Sequence, residues 1–270
     1  MIIEVAPEPG GTFRLGGDLP VNRLGFGAMR ITGDGVWGPP VNPAEAIATL
    51  RRAIDLGVTL VDTAESYGPY VSETLIAEAL HPYPPGLVIA TKGGFDRPGP
   101  HDWIENAHPA RLREELDGSL RRLRLDRIDL YQLHRIDPSV PEADQFGFLQ
   151  QARQQGKIRH VGLSEVTIEQ IERARRFFPV ASVQNRYNLV DREWENVVGY
   201  CEREHIAFIP WSPLQEGEVA KGGLRQRVRK LLGRAPVMLP IPGTSQRKHL
   251  EENVAAAAIT LSDDEYAALT

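Results

Sequence analysis

The order of apolar runs and helical patterns along this chain predicts an α/β fold, a closed (β/α)8 barrel of the TIM type. Short runs rich in Val, Ile and Leu occur at 23–29, 58–64, 86–92, 127–134, 158–164, 180–186, 206–212 and 236–242. Segments of helical period separate them, as in parallel βαβ units. The chain has 270 residues, which fits eight such units in one domain, 1–270; a barrel of this kind typically takes ~250 residues.

The first segment, TFRLGGDLPV (12–21), departs from the pattern. Its GGD lies between two short runs and reads as the turn of a β-hairpin, placed to plug the bottom of the barrel. Runs 58–64 and 86–92 are apolar nearly throughout, as expected of strands covered on both faces. The 43–57 segment places Ala46, Ile47, Leu50, Ala53 and Ile54 on one helical face and ends at Gly57, a C-cap residue. Segment 109–125 starts with Pro109 and repeats Leu112, Leu116, Leu120 and Leu123. Segment 167–178 opens on Thr167 with Gln170 at the capping-box position. The last helices are expected at 246–258 and 262–269, with Ser262 as N-cap of the second. No GxGxxG turn joins a strand to a helix, which argues against a Rossmann domain.

Composition narrows the function. Apolar residues make up 41% and charged residues 25%, an ordinary globular balance, and the net charge of −5 disfavours nucleic acid or an anionic membrane as partner. Cys201 is the single cysteine, so no internal disulfide forms. MIIEVAPEPG lacks the basic and apolar regions of a signal peptide, and no run approaches a membrane span, so a cytoplasmic location is expected. No metal is expected.

Barrel enzymes carry their working residues at the C-terminal ends of strands. Those ends supply Asp62, Lys92 and His134 from the second, third and fourth strands, with Tyr67 in the loop after the second. Each has an ordinary explanation alone: Asp62 as a helix cap, YGPY as a turn, Lys92 as a solvated rim residue, His134 as a satisfied core histidine. Together they suit carbonyl reduction. Asp62 would hold Lys92 charged, and the ammonium would lower the phenol pKa from its usual ~10. Tyr67 would then protonate the carbonyl oxygen as hydride reaches its carbon, and His134 would orient that oxygen.

These residues resemble the aldo-keto reductase family over nearly the whole chain. DTAESYG, ATKGG and DLYQLH resemble its aspartate–tyrosine, lysine and histidine segments. GKIRHVGLSEVT, VQNRYNL and IPGTSQRKHLEENV resemble its strand-five, strand-six and phosphate-binding segments. The resemblance implies NADPH bound without a Rossmann domain, a small-molecule carbonyl substrate, and a catalytic tetrad of Asp62, Tyr67, Lys92 and His134. It places Gly27 and Met29 beside the nicotinamide ribose, Ser164 and Gln184 on the carboxamide, and Trp211 against the nicotinamide ring. Ser212, Pro213 and Leu214 match the pyrophosphate loop. Gly243, Thr244, Ser245, His249, Glu252 and Asn253 match the adenosine-phosphate end, where a small-residue turn enters a helix N-terminus, an anion-binding arrangement.

Three departures stand out. Glu165 replaces a frequent asparagine, Gly243 and His249 replace frequent permanent cations, and the connection between Trp211 and Pro236 is short, with a basic helix near 224–232. Arg247 and Lys248 are then the remaining cations for a 2′-phosphate. The alternative reading is a cofactor-binding regulatory barrel with little turnover, which the intact tetrad disfavours. Loops 30–41, 94–108 and 135–141, with Trp37 and Trp103, are expected to shape the substrate pocket.

Overall fold

In a computed structural model of the protein, which describes residues 10–213, 224–259, 262 and 264, the chain opens on the expected hairpin. β1 (Thr12–Leu15) and β2 (Leu19–Asn22) pair antiparallel. Gly16 and Gly17 make the turn with φ of 61° and 88°, a left-handed conformation that suits glycine. Leu15, Leu19 and Val21 share one buried cluster with Leu60, Val88 and Leu130. The hairpin therefore plugs the end of the barrel where the strands begin.

The order continues with β3 (Phe26–Gly27), α1 (Pro43–Asp55), β4 (Leu60–Asp62), α2 (Val71–Leu80) and β5 (Val88–Gly93). A small hairpin of β6 (Phe95–Asp96) and β7 (Ile104–Glu105) lies within the expected 94–108 loop, followed by α3 (Pro109–Leu123) and β8 (Ile128–Leu133). Next come α4 (Glu142–Gln154), β9 (Ile158–Ser164), α5 (Ile168–Ala174), β10 (Val180–Gln184), α6 (Glu195–Arg203) and β11 (Ala207–Phe208). The chain then forms α7 (Leu224–Arg234) and α8 (Arg247–Ala255).

Strands β3, β4, β5, β8, β9, β10 and β11 pair in parallel as one sheet. The eighth apolar run is not a regular strand, yet it closes the ring. Phe208 N donates to Val237 O at 2.9 Å and Leu239 N to Phe208 O at 2.8 Å on one side. Gly25 N donates to Pro240 O at 3.0 Å, and Gly27 bridges Gly243, on the other. Pro236, Pro240 and Pro242 have no N–H, so the ladder is interrupted where a strand was expected.

Local signals set the helix ends. Asn42 Oδ1 caps α1 by accepting from Glu45 N at 3.0 Å, and Gly57 follows its end with φ 85°. Thr167 and Gln170 form a reciprocal capping box on α5, which ends at Ala174, short of the expected 178. Helix α7 is more than a basic face. Its Val228, Leu231 and Leu232 are buried; Val228 and Leu232 cluster with Leu24 and Ala256, and Leu231 joins the main core. Residues 214–223, Leu214 among them, and most of the expected helix 262–269 lie outside the described residues.

Candidate active site

Side chains alternate across a strand, so every second residue faces the barrel interior. On β5 this aligns Val88, Ala90 and Lys92; on β4, Leu60 and Asp62; on β8, Leu130 and Gln132, with His134 one step beyond. Val88, Ala90, Leu60 and Leu130 fill the interior cluster, and the polar members sit above them at the strand C-termini. Strand β10 reaches the same level through a register shift between Val180 and Ser182. That bulge lets Ala181 join the apolar layer while Gln184 joins the polar one.

Lys92 Nζ donates to Asp62 Oδ2 at 2.6 Å, to Thr63 O at 2.9 Å and to the Tyr67 hydroxyl at 3.4 Å. The other carboxylate oxygen of Asp62 accepts from Gln132 Nε2 and Gln184 Nε2, both at 2.9 Å. Asp62 and Lys92 are 1% and 0% exposed, so their charges are sustained by each other and by these donors rather than by water. Ser66 Oγ lies 3.4 Å from His134 Nδ1. The tetrad residues expected on one rim are thus brought together, with Tyr67 and His134 in edge-to-face contact at 5.9 Å.

The electrostatics differ from expectation in one respect. Burial pushes the Tyr67 hydroxyl above the ordinary phenol range; the Lys92 charge pulls it down but does not outweigh desolvation, and Asp62 adds to the rise. Burial pulls Lys92 down, but Asp62 and Tyr67 more than compensate and hold the ammonium charged. Burial, reinforced by Lys92, Arg135 and Arg97, drives His134 well below the usual imidazole range, so its ring is neutral.

A cavity of about 780 Å³ opens above this set. Gly27, Met29, Ser164, Gln184, Trp211, Ser212, Pro213 and Gly243 line it together with Asp62, Tyr67 and His134. The backbone approach at its floor is close: a Cβ at Gly27 would stand 2.6 Å from Ile241 O, and one at Gly243 would stand 2.7 Å from Gly27 O. Thr244, Ser245, His249, Glu252 and Asn253 continue from Gly243 along the turn and α8. Thr244 Oγ1 accepts from Gln246 N at 3.1 Å. Asn253 is buried, and its Oδ1 has no hydrogen-bond partner among the described residues. A buried amide oxygen left without a partner on α8, the helix that the resemblance assigns to the adenosine end, fits a ligand group that donates a hydrogen bond.

Other features were not anticipated. Gln132 was legible in principle, two residues before His134 on the same strand face. Arg97 was not: it donates to Asp102 O, Val36 O, Ser66 O and Gly35 O at 2.8–3.2 Å, and its guanidinium lies 3.6 Å from the Trp103 ring centroid. Trp103 lines the cavity; Trp37 instead packs near Arg97, at 5.7 Å. Glu165, with φ 54°, accepts from Trp211 Nε1 and from Arg186 N, both at 2.6 Å, and so fixes the indole edge.

The buried lysine–aspartate pair, the tyrosine and the neutral histidine thus meet at the strand C-termini, the end at which parallel barrels of this type carry their working residues. The chain belongs to the aldo/keto reductase family, whose model matches residues 23–229. An uncharacterised oxidoreductase of Schizosaccharomyces pombe is 53% identical, covering 96% of this chain and 89% of that protein. The pyridoxine 4-dehydrogenase of Escherichia coli is 38% identical, covering 94% and 95%. Among solved structures, the glycerol dehydrogenase of Gluconobacter oxydans superposes with a TM-score of 0.84 at 26% identity, covering 96% of this chain and 94% of that one. An aldo/keto reductase of Klebsiella pneumoniae, in complex with NADP and acetate, superposes with a TM-score of 0.75 at 25% identity, covering 96% and 93%.

Proposed function

We propose that the protein reduces an aldehyde or ketone to an alcohol at the expense of NADPH, with Tyr67 as the proton donor. The observation that carries this reading is the position of Lys92 Nζ, bonded to Asp62 at 2.6 Å and to the Tyr67 hydroxyl at 3.4 Å, with Asp62 and Tyr67 both lining the cavity. NADPH supplies a hydride when bound. Gly27, Met29, Ser164, Gln184 and Trp211 are the residues to hold its nicotinamide end. Gly243, Thr244, Ser245, His249, Glu252 and Asn253 would hold its adenosine end.

A phenol is protonated at neutral pH by its ordinary pKa of ~10, and burial keeps Tyr67 in that form. That is the form an acid needs. As the carbonyl oxygen takes the Tyr67 proton, Lys92 stabilises the phenolate left behind, and Asp62 keeps Lys92 charged and aimed. Neutral His134 offers a hydrogen bond to the same oxygen without competing as a stronger acid. The relative named pyridoxine 4-dehydrogenase makes pyridoxal the first aldehyde to test.

The deciding experiment compares wild type with Tyr67→Phe. General-acid catalysis is typically worth ~10²–10⁴-fold, and kcat should fall by that much while the Kd for NADPH, read by fluorescence titration, stays within about two-fold. A Tyr67→Phe enzyme with near wild-type turnover would remove the tyrosine from the mechanism. Binding of NADPH without turnover of any aldehyde would favour the regulatory-barrel alternative.

A further inference from the structure

Among the described residues three arginines line the cavity, Arg30, Arg135 and Arg186, and Arg135 stands closest in sequence to the reacting set, directly after His134. Its Nη1 donates to His134 O at 2.6 Å and to Ser164 Oγ at 3.0 Å. Its Nε and Nη2 make no hydrogen bond among the described residues, and no carboxylate lies within ion-pair distance of it there. Two other cations near the cavity floor and wall differ in this respect. Lys92 is paired with Asp62 at 2.6 Å, and Arg186 with Asp191 at 2.9 Å.

Taking a guanidinium partly out of water without an anion is unfavourable. Arg135 is only partly exposed, and burial lowers its pKa, with Glu165 and Glu105 offsetting that from farther away. Glu165 Oε1 is already committed to Trp211 and the Arg186 amide. The Nε–Nη2 edge of an arginine is a planar fork that matches the two oxygens of a carboxylate or a similar anionic group. The neighbouring wall is aromatic: the guanidinium lies 5.6 Å from the Phe95 ring centroid, and Phe95 packs edge-on against Trp103 at 5.4 Å.

From this geometry we infer that Arg135 is a specificity-determining residue, and that the natural carbonyl substrate is a flat compound bearing an anionic oxygen group near its carbonyl. This rests on the carbonyl-reductase reading. A guanidinium that merely braced His134 and Ser164 would affect every substrate alike, so the discriminating quantity is the ratio of anionic to neutral substrates.

The test measures kcat/KM with NADPH for 3- and 4-carboxybenzaldehyde and for their neutral methyl esters, in wild type, Arg135→Gln and Arg135→Lys. A charge-assisted bidentate contact predicts about a ten- to hundred-fold preference of the wild type for at least one anionic isomer, expressed mainly in KM. The ratio should collapse towards unity in Arg135→Gln and recover in part in Arg135→Lys. Equal efficiency of acid and ester in the wild type, or a preference that survives in Arg135→Gln, would overturn the inference. If no aldehyde is reduced at all, the parent reading fails, and calorimetry with benzoate and benzamide in the presence of NADP still decides the anion site. Benzoate binding at least ten-fold tighter than benzamide, and lost in Arg135→Gln, supports it; equal binding of the two sinks it.

Discussion

Glu45 of α1 grips Arg247 at the start of α8. Its carboxylate accepts from Arg247 Nε at 3.1 Å, from Nη2 at 3.0 Å and from the Arg247 backbone N–H at 3.3 Å. An internal carboxylate thus takes up the first amide of α8 and the cation that the sequence offers to a 2′-phosphate. Hydrogen bonds from Arg247 hold Glu45 below the usual carboxylate range, so the pair is ionised at neutral pH. Arg247 is exposed and Glu45 partly so, and screening limits what the pair is worth. Replacing Glu45→Gln should release Arg247 and tighten NADPH over NADH by about two- to five-fold at low salt, with the gain fading at high salt. Kd values for both cofactors at two ionic strengths check this; an unchanged ratio would place the phosphate away from Arg247.

The Asp62–Lys92 pair should behave as a buried unit. Removing one partner of such a pair strands the other, at a cost of about 3–5 kcal/mol. Lys92→Met should therefore destabilise the fold by about 3 kcal/mol, since Gln132 and Gln184 still donate to Asp62. Adding Asp62→Asn should restore much of the stability but none of the turnover. Urea denaturation of the two single variants and the double variant gives the coupling; simple additivity would show that the charges act independently.

Behind the barrel wall, Glu115 is 1% exposed and its carboxyl is pushed up to about 9, first by burial and then by the charge of Glu65. Its Oε2 accepts from Gly94 N at 2.7 Å; its Oε1 lies 3.3 Å from Arg111 Nη2 without hydrogen-bond geometry. A carboxyl whose folded pKa exceeds its unfolded value binds its proton more tightly when folded. Stability is then greatest below the unfolded pKa and declines as pH rises towards 9. Each proton so linked contributes a slope of about 1.4 kcal/mol per pH unit at most. Glu115→Gln keeps an acceptor for Gly94 and should flatten the decline between pH 5 and 9. Thermal melts across that range test it, and an unaltered slope would assign the linkage to another group.

Arg97 ties the 30–41 loop to the segment carrying Trp103. Each of its three nitrogens donates to at least one main-chain carbonyl. Arg97→Met should lower stability by on the order of 1–3 kcal/mol and raise KM for aromatic aldehydes more than it lowers kcat, because the Trp103 wall loses its anchor. Arg97→Lys should recover only part, since an ammonium cannot span the same carbonyls. A uniform kcat loss with unaltered KM would point to a role in the chemistry instead.

Much of this molecule is written in its sequence because the signals are local. The alternating runs, the caps at Asn42 and Thr167 and the glycine turn at 16–17 encode elements through nearest-neighbour physics, and strand periodicity carries Asp62, Lys92 and His134 to one rim. Other features arise only when distant segments meet. The rise of the Tyr67 pKa depends on how completely the fold excludes water, which no residue spacing reveals. The grip of Glu45 on Arg247, 202 residues apart, and of Arg97 on carbonyls from three loops exists only in three dimensions. The proline-interrupted closure at 236–243 is of the same kind, since its hydrogen bonds reach both β11 and the start of β3. Backbone pattern determined the barrel and the order of its polar rim; desolvation and long-range pairing, set by tertiary packing, decided which of those groups are charged, which are neutral and which remain open to a ligand.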